Sequence, residues 1–121
     1  MHRKPLIGFN ADYRSATDQK PAFSYLCAGY FDAVAAVGGI PVILPPIEEQ
    51  QDVAAVLDQL DGFVLTGGPD LDPHNDGFMR HPTVRPMDPR REAFDRTLVR
   101  LIAERRMPVF GIGVGMQLLN I

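Results

Sequence analysis

Short unbroken apolar runs alternate along this chain with longer stretches whose apolar residues recur at helical spacing. That alternation restricts the fold more than any other feature. Leu6-Ile7-Gly8-Phe9-Asn10 follows a proline and reads as a buried strand. Residues 11–22 are polar and turn-rich and read as a loop. From Phe23 to Val37, apolar residues at 23, 26, 27, 30, 31, 34 and 37 share one helical face, and Gly38-Gly39 stops the helix. Pro41–Leu44 is a second strand. Residues 48–60 open with Glu48 and Glu49, which favour the positive end of a helix, and place Val53, Val56, Leu57 and Leu60 on one side. Asp61-Gly62 turns the chain into a third strand, Phe63–Thr66.

A segment without periodicity then runs from Gly67 to Met87, and loops of that length in a compact domain tend to be functional or disordered. Asp88-Pro89 offers a side-chain cap followed by proline at the first helical position. Phe94, Leu98, Leu101 and Ile102 form the inner face of that helix. Arg and Glu residues, including the pairs Arg90-Arg91 and Arg105-Arg106, read as its solvated exterior. Pro108–Ile112 is a fourth strand, Gly113-Val114-Gly115 a tight turn, and Met116 opens a last helix. Strands that alternate with helices, each strand apolar on both faces, predict a parallel sheet covered on both sides.

Composition narrows the function classes. At 45 % hydrophobic and 22 % charged residues, the chain has the balance of a folded soluble protein. A net charge of −3 gives no general attraction to nucleic acid or anionic membranes. The lone cysteine, Cys27, forms no internal disulfide and suits a reducing compartment. The basic start is followed by an apolar run, Leu6–Phe9, too short for a secretory signal, and no stretch approaches the ~20 apolar residues of a membrane helix. A cytoplasmic protein is expected. Ile121 falls inside a helical stretch without a cap, so a partial domain over 1–121 is expected.

In open parallel sheets, ligands bind beyond the carboxyl ends of the strands. Gly111-Ile112-Gly113-Val114-Gly115 occupies such a position, between a strand and a helix. It has the layout of a nucleophile elbow: flanking glycines permit close strand–helix approach, and the central residue projects into the cleft beside the first helical amides.

The longer string from Pro108 to Asn120 resembles the elbow of class I glutamine amidotransferases in the γ-glutamyl hydrolase branch, where the pattern is P-V-x-G-I-C-x-G-M-Q-x-L-N. Gly38–Pro45, Leu60–Pro73 and Asp88–Phe94 resemble further segments of that family in the same order, so the likeness extends over nearly all of the chain. The resemblance implies a flavodoxin-like α/β fold, here its N-terminal half, and hydrolysis of γ-glutamyl amide bonds by Cys-His-Glu chemistry without metal or organic cofactor. It puts the nucleophilic cysteine at Gly113, so the thiolate is missing. It puts oxyanion-binding amides at Gly68, beside Gly67, and at Val114, and a γ-glutamyl contact at Gln117. The His and the acid fall outside these residues. The expected ligand is glutamine or a small γ-glutamyl compound, bound without covalent turnover; a homo-oligomer is compatible with this. A binding or partner module that keeps only the fold is the alternative.

Other readings are weaker on their own residues. A dinucleotide fingerprint would need glycine at Met116 and a place after the first strand. Asp70, Asp72, His74, Asp76 and Gly77 resemble half a calcium loop, but the twelfth position from Asp72 is Thr83 where glutamate is required. His74 and His81 lack a second cluster to complete a metal site. Cys27 falls on the inner helix face, as a small buried hydrophobe would, and Phe23, Tyr30 and Phe31 read as core. Tyr13 is expected near the cleft.

Overall fold

The structure, a computed structural model, describes residues 3–68, 76 and 86–120. The elements are β1 (Leu6–Asn10), β2 (Asp12–Arg14), β3 (Phe23–Tyr25), α1 (Ala28–Ala36), β4 (Ile40–Leu44), α2 (Gln50–Leu57), β5 (Gly62–Leu65), α3 (Pro89–Arg105), β6 (Val109–Gly111) and α4 (Val114–Leu119). Strands β4-β1-β5-β6 form a sheet in that order, and each neighbouring pair is parallel. Asn10 pairs in register with Leu44, and Leu65 with Gly111, so the carboxyl ends of the strands share one rim. This is the parallel α/β sheet that the strand–helix alternation predicts, in the flavodoxin-like arrangement that the family resemblance implies.

The two faces of the sheet differ. On one, Leu44, Phe63 and Leu65 pack against Val53 and Leu57 of α2 and Phe94, Leu98, Leu101 and Ile102 of α3. Each such side chain contributes about 1.5–3 kcal/mol by leaving water. Side chains alternate along a strand, so Val64 faces the other way. There it shares an apolar groove with Phe9, Tyr30, Val34, Phe110 and Ile112, between the sheet and α1. Phe110 stays 65 % exposed on that side. The helix α3 begins as its sequence indicates: Asp88 caps it by accepting the Arg90 N–H at 2.8 Å, and Pro89 follows.

Five sequence expectations are corrected. Residues 11–22 are not all loop, and residues 23–25 are not helical. Asp12–Arg14 and Phe23–Tyr25 pair as an antiparallel hairpin, with Asp12 opposite Tyr25. The Tyr25 hydroxyl donates to Asp12 Oδ2 at 2.6 Å, a strong local bond that the spacing of apolar residues cannot reveal. The first helix therefore starts at Ala28. Cys27 is its exposed N-cap residue, with extended backbone, and not a buried member of its apolar face. Phe23 is 44 % exposed in the hairpin, stacked at a tilt on Tyr25 and outside the core. Arg91 is not on a solvated face: it is fully buried.

Candidate active site

The chain crosses the rim of the sheet in a bend between β6 and α4. Gly113 forms the bend, with φ 58° and ψ −118°. A residue bearing a side chain adopts this conformation only at a cost of about 1–3 kcal/mol. Three glycines surround the bend, and their surroundings differ. A Cβ on Gly111 would stand 2.9 Å from backbone atoms of Gly115 and Met116, and one on Gly115 would stand 2.4 Å from Leu65 O. Real Cβ atoms do not come so close, so these two positions must be glycine for helix and strand to approach. A Cβ on Gly113 would meet only the Cα of Gly67, at an ordinary 3.6 Å. Room for a Cβ is therefore present at 113.

The double glycine after β5 lies directly across from this bend. The Ile112 N–H donates to Leu65 O at 2.9 Å and ties the two segments together at their base. Gly68 is exposed at the rim, Val114 is buried at the first position of α4, and Gln117 is exposed one turn further along. Among the described residues, no hydrogen bond engages the N–H of Gly68 or of Val114. The arrangement can present two main-chain donors around one point beside Gly113, which carries no side chain.

Beneath Gly67-Gly68 lies a buried polar network. The Thr66 N–H donates to Asn10 Oδ1 at 2.8 Å, and Asn10 Nδ2 donates to Asp95 Oδ1 at 3.0 Å. Arg91 Nε donates to Asp95 Oδ2 at 3.2 Å, and its Nη1 forms an ion pair with Asp12 at 3.1 Å. Burial pushes the Asp95 carboxyl up to about 6, against the opposing pull of the Arg91 charge and the Asn10 bond. Asp12 is pulled the other way. Burial works to raise its pKa, but bonds from Tyr25 and the Tyr13 N–H, with the Arg91 charge, outweigh this and hold it below the usual carboxylate value. The hairpin is thus fastened to α3 at the edge of the site. The guanidinium of Arg90 also lies 5.1 Å above the Tyr13 ring, which places Tyr13 on the same hairpin beside the rim.

Sequence reading singled out Gly67, Gly68, Gly113, Val114 and Gln117, and the structure gathers the first four around the two facing bends. It missed the network under them. Arg91, Asp95, Leu98 and Ile102 fall at helical spacing along one stripe of α3, so the pattern that marked Leu98 and Ile102 as core also contained Arg91 and Asp95. Of the calcium-loop residues, Asp70, Asp72, His74 and Gly77 lie outside the described residues, as does His81. Asp76 is engaged by both terminal nitrogens of Arg96, at 3.0 and 2.8 Å. No group of three or more His, Cys, Asp or Glu suited to a metal occurs among the described residues. None of the described helices is long and apolar enough to cross a membrane.

A parallel α/β sheet with a glycine-flanked, positive-φ bend leading into a helix at its rim has the layout of a nucleophile elbow, which the glutamine amidotransferase-like class shares with other α/β hydrolases. The profile of the Peptidase C26 family matches residues 5–121, and the chain belongs to that family. It is 39 % identical over 122 residues to the Mycobacterium tuberculosis protein named "Putative glutamine amidotransferase Rv2859c", covering 98 % of this chain and 39 % of that protein. It is 32 % identical over 120 residues to Protein NtpR of Enterococcus hirae, covering 97 % of this chain and 50 % of the relative. The γ-glutamyl-γ-aminobutyrate hydrolase PuuD of Escherichia coli K12 is 33 % identical over 90 residues, which is 73 % of this chain and 35 % of that protein. The chain thus spans half or less of each of these relatives.

Proposed function

We propose that this chain carries the γ-glutamyl-binding rim of a C26-type hydrolase from which the attacking group has been lost. The observation behind this reading is Gly113. Its backbone keeps the conformation and the free space of a residue that displays a side chain, while no thiol is there to use them. In the family chemistry implied by the sequence resemblance, a thiolate attacks the γ-carbonyl carbon, the tetrahedral adduct expels the amine as it takes up a proton, and water hydrolyses the thioester that is left. With glycine at 113 the first bond cannot form. Loss of a nucleophile alone typically lowers rates by several orders of magnitude. What remains is reversible binding of glutamine or a γ-glutamyl amide, with the carbonyl oxygen near the Gly68 and Val114 amides and Gln117 beside it. The compartment proposed is the cytoplasm.

The test is an assay of the full-length polypeptide on a γ-glutamyl anilide. The unmodified protein is expected to release no amine above background, and the Gly113→Cys variant to release it at least a hundredfold faster. Equal turnover by the two proteins would refute the reading. Calorimetric titration with glutamine separates ligand binding from a role in which only the fold is retained, because the latter gives no heat.

A further inference from the structure

The peptide between Gly67 and Gly68 is held by a group that no ligand at the rim can touch. Arg91 is fully buried, and its Nη2 donates to Gly67 O at 3.1 Å. That oxygen belongs to the same planar trans peptide as the Gly68 N–H, and in such a unit the two point in opposite directions. An anchor on the oxygen therefore fixes the direction of the hydrogen. A peptide flanked by two glycines has little steric restraint of its own on this rotation.

We infer that Arg91 is the positioning residue of the site: by holding Gly67 O inward, it turns the Gly68 N–H outward, toward the space beside Gly113. The assignment rests on the proposed γ-glutamyl site only for its chemical purpose, since the anchoring is geometric. The guanidinium packs directly under the bend: a Cβ on Gly68 would collide with Nη1. Its fork is aimed by two carboxylates on different elements, Asp95 at Nε and Asp12 at Nη1. A lysine ammonium has no such fixed directions. The other side of the bend is secured separately, because the Gly67 N–H donates to the Tyr30 hydroxyl at 3.1 Å. Tyr30 thus serves the bend and not only the apolar groove.

The test uses Arg91→Lys and the milder Asp12→Asn in the full-length polypeptide. The first readout is the Gly68 amide signal in nitrogen–proton correlation spectra. Arg91→Lys is expected to shift or exchange-broaden it while the β5 amides of Phe63 and Val64 stay in place. Asp12→Asn is expected to do the same to a smaller degree, and keeps the test alive if the lysine variant does not fold. An unmoved Gly68 signal in a folded variant overturns the inference. The second readout adds each change to the Gly113→Cys variant. Arg91→Lys is expected to lower kcat by a hundredfold or more, with KM within threefold, as for loss of an oxyanion donor. An unchanged kcat overturns the role in chemistry. If Gly113→Cys alone gives no turnover, the proposed function fails, and the Gly68 signal still decides the placement of Arg91.

Discussion

A Cβ built on Gly113 stands 3.6 Å from the Cα of Gly67, so the two glycine bends at the rim leave room for a Cβ between them. Space and strain can therefore be separated at this position. The cavity accepts a substituent, whereas the backbone, at φ 58°, resists one.

Gly113→Cys is accordingly expected to fold, at a cost in stability of about 1–3 kcal/mol. The checks are the unfolding midpoint and the reaction of the new thiol with iodoacetamide. A variant as stable as the parent would mean that the bend relaxes when it is filled. A variant that fails to fold would contradict the room beside Gly67.

The neighbouring Gly115 behaves oppositely. A Cβ there would collide with Leu65 O, a main-chain atom at the carboxyl end of β5. Gly115→Ala is expected to destabilise by more than about 3 kcal/mol, at the upper end of single-residue effects. Gly29, in the first turn of α1, has nothing within 4 Å of the same point. Gly29→Ala is expected to be neutral or to stabilise by roughly 0.5 kcal/mol, by restricting the unfolded chain. Chemical denaturation of the two variants side by side provides the comparison. Equal losses would remove the steric account.

Asp95 gives the site a pH signature. Its folded-state pKa is raised from 3.8 to about 6, so the folded protein holds this proton more tightly than the unfolded chain does. The contribution of Asp95 to stability is then fully present below pH 3.8 and is lost as the pH rises through about 6. Asp12 has the opposite sign. With its pKa lowered, its contribution is present above pH 3.8 and disappears as the pH falls further. The unfolding free energy of the parent minus that of Asp95→Asn is therefore expected to fall between pH 4 and 7, by on the order of 1–3 kcal/mol. A constant difference would mean that folding leaves the carboxyl unshifted, and one that grows with pH would show that Asp95 is stabilised in its charged form.

The second face of the sheet carries a solubility consequence. Phe110 is 65 % exposed and Val37 85 %, next to the groove lined by Phe9, Val64 and Ile112. The strand β6 pairs with β5 on one side only among the described residues. Open strand edges beside apolar surface promote pairing between chains. The 121-residue chain is expected to self-associate, and Phe110→Lys to weaken that association at least tenfold. Sedimentation velocity over a range of concentrations measures it. A monomer at every concentration, with a sharp cooperative melt, would count against this.

Much of this fold is legible in the sequence because its strands are continuous apolar runs and its helices are punctuated by Gly38-Gly39 and Asp88-Pro89. The bend at Gly113 is legible because glycines at 111 and 115 serve close packing, which local spacing preserves. The hairpin is not. Its strands, Asp12–Arg14 and Phe23–Tyr25, are too short to show alternation, and Phe23, Leu26 and Cys27 happen to match helical spacing. The network around Arg91 is obscured for a different reason. Charged residues on a helix are ordinarily solvated, and only the fold shows that Asp12, Thr66 and Asp95 converge on this one, with Asn10 bonded to Asp95 behind them. The partner that makes a buried charge tolerable is distant in sequence, and no local pattern encodes it.

The shape retained at Gly113 bears on heredity as well as chemistry. A glycine codon of the GGU or GGC type becomes a cysteine codon by one base change. Because the packing at Gly111 and Gly115 does not depend on what occupies the middle of the bend, such a change would need no accompanying mutation at either neighbour.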